Sequence, residues 1–399
     1  MALTAGLLLA RVWQAPALAD PLGGPLPPAL HLAFPPTYIL FAPLFTLWDG
    51  VSMLSLSRLH GFLVGLAVLY VAWRGGRALW WRIAWSDRPP PRAPLRRELG
   101  LLAASLAGLV LFVGVGLLWH RPMAALAETG NALVFDVHSH TNVSHDVRGT
   151  LMGGFDTEAN LRWHRRAGFD AVFVTDHNTV AGLRPHGGAP ALCPGIEVSA
   201  WRAHVVLLGD STPVDQRRYN GSLAALELLL RESDSLYGAL SVLSLPEYER
   251  NHRDRLDSLA AAGATGFELV NAAPKANEMS RARRDSVAAL ARRTGRFVVG
   301  ASDSHGWGAT SMVWNLLPLT GPKPAGPAAC SAILQALREG FGVTRIVERR
   351  HLRPDSGWPR WLTPLGVLWE AWRGLTWPLT LSWLAWTWLM WAASRRRYT

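Results

Sequence analysis

Residues 135–146 constrain the fold more than any other stretch. The apolar run Leu133-Val134-Phe135 leads into Asp136-Val137-His138-Ser139-His140, and alternation along an extended backbone points His138 and His140 to the same side, where they can share a metal ion. Four later segments repeat the form, an apolar strand ending in metal-ligating side chains: Thr175-Asp176-His177, Gly195-Ile196-Glu197, Ala203-His204 and Ser302-Asp303-Ser304-His305. Ligands placed again and again at strand ends require an architecture that gathers those ends together.

Parallel α/β folds gather them where strands give way to loops. Residues 133–347 read as such a domain, with strands expected at 133–135, 171–175, 204–208, 240–243, 267–270 and 297–301. Helices are expected at 158–167, capped by Asp156 or Thr157 and ended by Gly168, and at 223–231, 253–262, 278–294 and 328–338. His204 departs from the rule, because it stands at the beginning of its strand.

Apolar segments outside this domain read as membrane helices. Residues 99–119 carry no charge, and residues 375–393 are rich in Trp and closed by Arg395-Arg396-Arg397. Residues 35–73 are broken by Asp49-Gly50 and Arg58-Leu59-His60, which leaves two arrangements open: an interfacial helix followed by a span from about Leu59, or two closely spaced spans. The loop 74–98 holds Arg74, Arg77, Arg82, Arg88, Arg92, Arg96 and Arg97 against Asp87 and Glu98, and Pro89-Pro90-Pro91 keeps it from being one helix. Its basic character places it in the cytoplasm, so the next span carries the domain out of the cytoplasm and the last span returns the tail. Arg360 and Arg373, on the outer side of that last span, pull against this topology.

The expected division is therefore 1–121, an N-terminal membrane region with a cytoplasmic Arg-rich loop; 122–350, the metal-binding domain; and 351–399, a Trp-rich membrane anchor. A net charge of +11 would suggest nucleic acid in a soluble protein, but arginines set beside apolar segments point to a membrane partner instead. Residues 1–20 end like a signal-peptidase site yet lack a basic start, so cleavage is not expected. Two cysteines, Cys193 and Cys330, are too few for a disulfide framework and leave their pairing open.

Imidazoles mixed with carboxylates suit zinc, manganese or iron better than magnesium or calcium. The ligands exceed what one four-coordinate ion takes and suffice for two or three, with Glu197 the natural bridge. Two ions about 3.5–4 Å apart can present a hydroxide and neutralise phosphoryl oxygens.

Taken in order, Asp136-Val137-His138-Ser139-His140-Thr141 with Ser144-His145-Asp146, Thr175-Asp176-His177-Asn178-Thr179, Pro194-Gly195-Ile196-Glu197-Val198-Ser199, the His204 strand ending in Gly209, and Ser302-Asp303-Ser304-His305-Gly306 resemble the motifs of the polymerase and histidinol phosphatase (PHP) family of metal-dependent phosphoesterases. The resemblance implies an α/β fold, a distorted (βα)7-type barrel, here flanked by transmembrane helices. It places a first metal on His138, His140, Glu197 and Asp303, a second on Glu197 and His204, and a third on His177, His305 and either His145 or Asp146. Asp136 and Asp176 are expected to orient imidazoles from behind. Many members carry Ala-His-Pro where this chain has Ser244-Leu245-Pro246. Leucine cannot ligate, which leaves Glu247 or His252 as substitutes and the second site in question.

The expected function is that of a phosphoric ester hydrolase, a metal-dependent phosphatase or phosphodiesterase in which a metal-bound hydroxide attacks phosphorus. His138, His140, Glu197, Asp303 and His305 are its expected catalytic residues, and the substrate is a phosphorylated small molecule or a lipid-linked phosphate. Two alternatives stand beside it: a degenerate domain that binds metal or ligand without turnover, motivated by Leu245, and a nuclease-like phosphodiesterase, motivated by net charge. His31, His60, His120, His164, His186 and His351 read as surface or hydrogen-bonded core histidines, and Glu268 as structural. Arg184 and Arg202, near motif residues, are open between phosphate contact and solvation.

Overall fold

Residues 2–84, 95–118, 121–306 and 310–395 are described by the computed structural model. Arg88, Arg92, the prolines 89–91, Trp119, His120, Arg396 and Arg397 lie outside the described residues. In chain order the strands are β1 (Leu18–Ala19), β2 (His31–Ala33), β3 (Ala125–Ala127), β4 (Ala132–Asp136), β5 (Ala171–Val174), β6 (Ala191–Ala200), β7 (Ala203–Leu208), β8 (Leu240–Leu243), β9 (Gly266–Asn271), β10 (Phe297–Ala301), β11 (Val313–Pro318) and β12 (Arg345–Arg349).

All but β2 and β3 join one ten-stranded sheet in the order β1-β12-β11-β4-β5-β6-β7-β8-β9-β10. The pairs β4/β5, β5/β6, β8/β9 and β9/β10 are parallel, whereas β7 runs against both its neighbours, and β11, β12 and β1 add an antiparallel flank. The architecture is thus an α/β curled sheet with reversed strands, not a uniform run of βα units. The sheet curls until the chain leaving its edge strand β10 meets the chain leaving β4, where His140 N–H donates to Ser304 O at 2.9 Å and Asp303 N–H donates to His138 O at 2.9 Å.

Period-two alternation divides the core. Leu133, Phe135, Phe173, Val206, Val242, Phe297 and Val299 face inward and meet Ile333 and Leu337 of the helix Pro327–Arg338, which fills the end where the parallel strands begin. Cys193 on β6 and Cys330 on that helix form a disulfide. Outward-facing Val205, Leu243, Phe267 and Leu269 lie under Leu226 and Leu229 of Leu223–Ser235 and Val287 and Leu290 of Arg281–Thr294. Gly266 is inward and must lack a side chain, since a Cβ there would stand 2.2 Å from the Phe297 ring.

Helix starts follow their caps. Asp156 accepts from Ala159 N–H at 2.9 Å to open Thr157–Ala167, and Gly168 ends it in the left-handed region. The helix expected from 278 begins at Arg281 under a Ser280 cap, because Glu278 is engaged elsewhere. Its carboxylate accepts from Ser57 N–H and Ser57 Oγ at 2.6 and 2.8 Å, at the start of the helix Leu56–Ala84. The helix expected at 253–262 is a 3-10 turn, Arg253–Arg255, followed by Leu256–Ala261.

Below the seam, at the β10/β11 boundary, a side chain substitutes for a ladder. Buried Asn315 accepts from Gly300 N–H at 2.8 Å and donates to Gly300 O and Phe135 O at 2.7 and 3.1 Å. Asn315→Ala should therefore destabilise the protein by roughly 3 kcal/mol, since each buried backbone group left unpaired costs about 1–3 kcal/mol. Denaturant unfolding of the two proteins checks this, and equal midpoints would mean that the seam does not depend on Asn315.

The segment 35–73 resolves into Pro36–Leu40, Ala42–Ser52 and Leu56–Ala84. Its two charged interruptions have partners: Asp49 pairs with Arg349 at 2.7 Å and accepts from Tyr38 OH at 2.7 Å, while Arg58 donates to Trp358 O at 2.7 Å and to Pro354 O at 3.0 Å. Leu56 N–H donates to Pro274 O at 2.8 Å, and Asn277 donates to Met53 O at 2.8 Å, so the head of the long helix is fastened to the loop after β9. Leu56–Ala84 is the one helix among the described residues long and apolar enough to cross a membrane. The segments expected as the other two spans form the helices Leu95–Leu118 and Trp377–Arg395, neither of which meets that measure over its described residues. Leu18 and Ala19 pair with Arg349 and Glu348 at the edge of the sheet.

Candidate metal centre

The C-terminal ends of β4, β5, β9 and β10 form one rim, with Asn271 the last residue of β9 and His138, His140, His177 and Asp303 just beyond the ends of their strands. His204 reaches the same rim from the start of β7 because the two-residue turn Trp201-Arg202 reverses the chain after β6. In that ladder Ser199 pairs with His204 and Glu197 with Val206. Glu197 and His204 are therefore diagonal neighbours on one face, with Oε1 3.1 Å from Nδ1.

Glu197 Oε2 lies 3.1 Å from His138 Nε2, 3.3 Å from His140 Nε2 and 3.2 Å from His177 Nε2. The Nε2 atoms of His138 and His140 are 3.0 Å apart, with Asp303 Oδ1 at 3.6 and 3.2 Å from them. Asp146 Oδ2 lies 2.6 Å from His305 Nε2 and 3.2 Å from His177 Nε2. Among the described residues, three sets have their donor atoms within 4.8 Å of one another: His138, His140 and Asp303; His140, Asp146 and His305; and His140, His177 and Glu197. Of the adjacent pair left open by sequence, Asp146 stands among the donors, while the His145 ring packs 4.8 Å from that of His177. Asp303 holds a left-handed φ of 45°, a conformation that Asp tolerates better than most residues.

Behind the donors stand groups that fix their orientation. Glu268 is fully buried, with Oε1 2.6 Å from His138 Nδ1 and Oε2 accepting from Leu245 N–H and Asn271 Nδ2, each at 2.8 Å. His305 Nδ1–H donates to Asp303 O at 2.8 Å. These bonds place the Nδ1 proton outward and turn Nε2 toward the centre, the orientation a ligating imidazole needs. Asp136 accepts from Ser302 N–H at 3.0 Å and from His164 Nε2–H at 2.9 Å, which makes His164 the hydrogen-bonded core histidine expected and ties it to the ligand strands. Asp176 accepts from Thr141 N–H and Oγ1–H at 2.6 and 2.8 Å, so its carboxylate orients the threonine rather than an imidazole.

The other residues named from sequence lie apart. His252 holds Trp201 O and Arg202 O at 3.1 and 3.2 Å, Arg202 stacks over Trp201, Arg184 is exposed, and Leu245 is buried in the core.

The electrostatics fit a bound cation. Burial pulls His138 toward neutrality, yet Glu197, Asp303 and Glu268 hold it well above the usual imidazole range. Burial likewise opposes charge on His204 and His305, and neighbouring carboxylates still raise both to about 9. The potential is thus negative enough to keep protons on buried imidazoles, and the same field favours a dication. His140 is pushed down to about 4 by burial and by His305, which leaves its lone pair free. His177 Nδ1 is buried without a hydrogen-bond partner. Nitrogen and carboxylate donors in this proportion suit a divalent ion of the zinc, manganese or iron kind.

No family model matches the chain, and no curated protein matches it. Among solved structures, PsfC from Pseudomonas syringae aligns at 17% identity and a TM-score of 0.37, covering 61% of this chain and 98% of its own. A Bifidobacterium adolescentis protein classed as a metal-dependent phosphoesterase aligns at 17% and 0.32, over 43% of this chain and 87% of its own. An amidohydrolase from Chromobacterium violaceum, with bound sulfate and no metal, aligns at 18% and 0.30, over 44% and 88%.

Proposed function

We propose that the chain is a membrane-anchored, metal-dependent phosphoesterase of the PHP kind, acting on a phosphorylated small molecule or a lipid-linked phosphate. The observation that carries this reading is the convergence of His138, His140, His177, His305, Glu197, Asp303 and Asp146 at one rim, with more donor atoms than one ion can use. Zinc, manganese or iron ions, two or three in number, would supply Lewis acidity and an activated water. His138, His140, Asp303 and Glu197 would hold one ion, while His177, His305 and Asp146 would hold another. Glu268 and Asn271 fix His138 and Asp303 by hydrogen bonds at 2.6 and 3.2 Å, so the donors need little rearrangement. The partly open side chains of Asp146 and His204 form the lip over which a phosphate enters.

Full-length protein in detergent, supplied with manganese or zinc, should hydrolyse a nitrophenyl phosphate monoester or diester and lose that activity to a chelator. Ions bound without turnover on either ester class would leave a binding protein in place of an enzyme. The full chain is the right material because β1 and the residues around Met53 pack against the domain.

The apolar helix Leu56–Ala84, whose Leu63, Val64 and Val71 are exposed, supports membrane anchoring, and the Cys193–Cys330 disulfide supports a domain outside the cytoplasm. Reporters fused after Arg350 and after Thr399 should give opposite readouts. A cytoplasmic signal at Arg350 would overturn the placement.

A further inference from the structure

Glu197 turns its two oxygens toward different neighbours. Oε2 serves the His138, His140 and His177 side at 3.1–3.3 Å, while Oε1 meets His204 Nδ1 at 3.1 Å. The same nitrogen has a second carboxylate beside it, Glu247 Oε2 at 3.7 Å. This oxygen is shut off from solvent and has no hydrogen-bond partner, an arrangement that costs free energy unless something satisfies it.

The local chain explains why Glu247 is there. Leu245 sends its side chain into the core and its N–H to Glu268 at 2.8 Å, and Tyr248 anchors the short helix Glu247–Asn251 through its hydroxyl on Glu268 O at 2.5 Å. Between these two fixed residues, Glu247 is the side chain that reaches the rim. His252 is committed to the carbonyls of Trp201 and Arg202 at 3.1 and 3.2 Å.

We propose that Glu197 Oε1, His204 Nδ1 and Glu247 Oε2 hold a divalent ion of their own, Glu247 supplying the ligand that Leu245 cannot. The proposal rests on the reading of this rim as a metal centre, but not on the reaction it catalyses. Donors around one four-coordinate ion stand about 3.3 Å apart at bond lengths of roughly 2.0–2.2 Å, and the two carboxylate oxygens stand 3.1 and 3.7 Å from His204 Nδ1, either side of that spacing. One imidazole with two carboxylates matches a dication in charge and satisfies the unpartnered oxygen.

The test uses full-length protein in detergent, stripped with a chelator and titrated with manganese or zinc, for wild type, Glu247→Gln, Glu247→His and His252→Ala. Elemental analysis and calorimetry should show Glu247→Gln losing one equivalent, or weakening one site at least about tenfold, since even outer partners of a metal site cost about 10–100-fold. Glu247→His exchanges one ligand for another and should keep the full complement, as should His252→Ala. Melting in chelator should show Glu247→Gln as stable as wild type, which separates ligand loss from unfolding. Equal stoichiometry and affinity in wild type and Glu247→Gln would overturn the proposal while leaving the metal centre standing. A wild type that binds no ion would overturn both.

Discussion

His140→Ala should leave the protein folded, strip it of most of its bound metal and cut the proposed phosphoester hydrolysis by about 10³-fold or more, some 4 kcal/mol of transition-state stabilisation. His140 is the donor common to all three ligand sets, with Nε2 3.0 Å from His138, 3.3 Å from Glu197 and 3.2 Å from Asp303. Removing it opens each set at once, whereas loss of Asp303 or His305 opens fewer. The fold should survive because the space left behind is lined by polar groups and can take water. His186→Ala is a fitting control, since that ring pairs at 3.1 Å with the exposed Glu158. His164→Ala is not, because it would unpair Asp136. Metal content and turnover equal to wild type in His140→Ala would remove this residue from the centre and the three-set arrangement with it.

Glu268→Ala should show the largest combined effect on stability and metal affinity. Its carboxylate is wholly buried and holds His138 Nδ1, Leu245 N–H and Asn271 Nδ2. Breaking a buried charged pair from one side costs about 3–5 kcal/mol, because the remaining donors lose their partner without regaining water. Loosening His138 should also weaken metal binding by about 10–100-fold. Glu268→Gln keeps an acceptor of the same shape and should lose less of both. Denaturant unfolding in chelator, followed by metal titration, separates the two effects. An alanine variant matching wild type in both would reduce Glu268 to a filler of space.

How much of this was legible in the sequence depends on how far apart the cooperating residues lie. The motif around His138 and His140 could be read because strand alternation is local. The same holds for Asp176-His177 and Asp303-Ser304-His305, each at the end of an apolar run. Glu268 could be seen only as structural, since its partner His138 lies 130 residues away and only the curled sheet joins them. The position of His204 at a strand's beginning looked anomalous because strand direction is not written in an apolar run. The turn at Trp201-Arg202 sets it, and Arg202 adopts a φ of 51° there without a glycine to announce it.

Strands β11 and β12 escaped notice for a different reason. Val313–Pro318 is interrupted by Asn315 and ends in proline, and Arg345–Arg349 is half charged, with Glu348 and Arg349 buried through pairing with Arg284 and Asp49 at 2.7 Å each. Periodicity sees polar residues as exposed, and buried pairs defeat it. Asp49 and Arg58 misled in the same way, as interruptions of an apolar segment that are in truth its attachments to the rest of the chain.

The attachment at Leu56 and Ser57 fixes more than the helix it begins. Pro274 and Glu278, which hold those residues, belong to the loop that leaves β9, and Asn271 at its root donates to Asp303. In a protein anchored as proposed, that one loop would tie the membrane helix to a metal donor, so a displacement at the helix head would be passed on to Asp303.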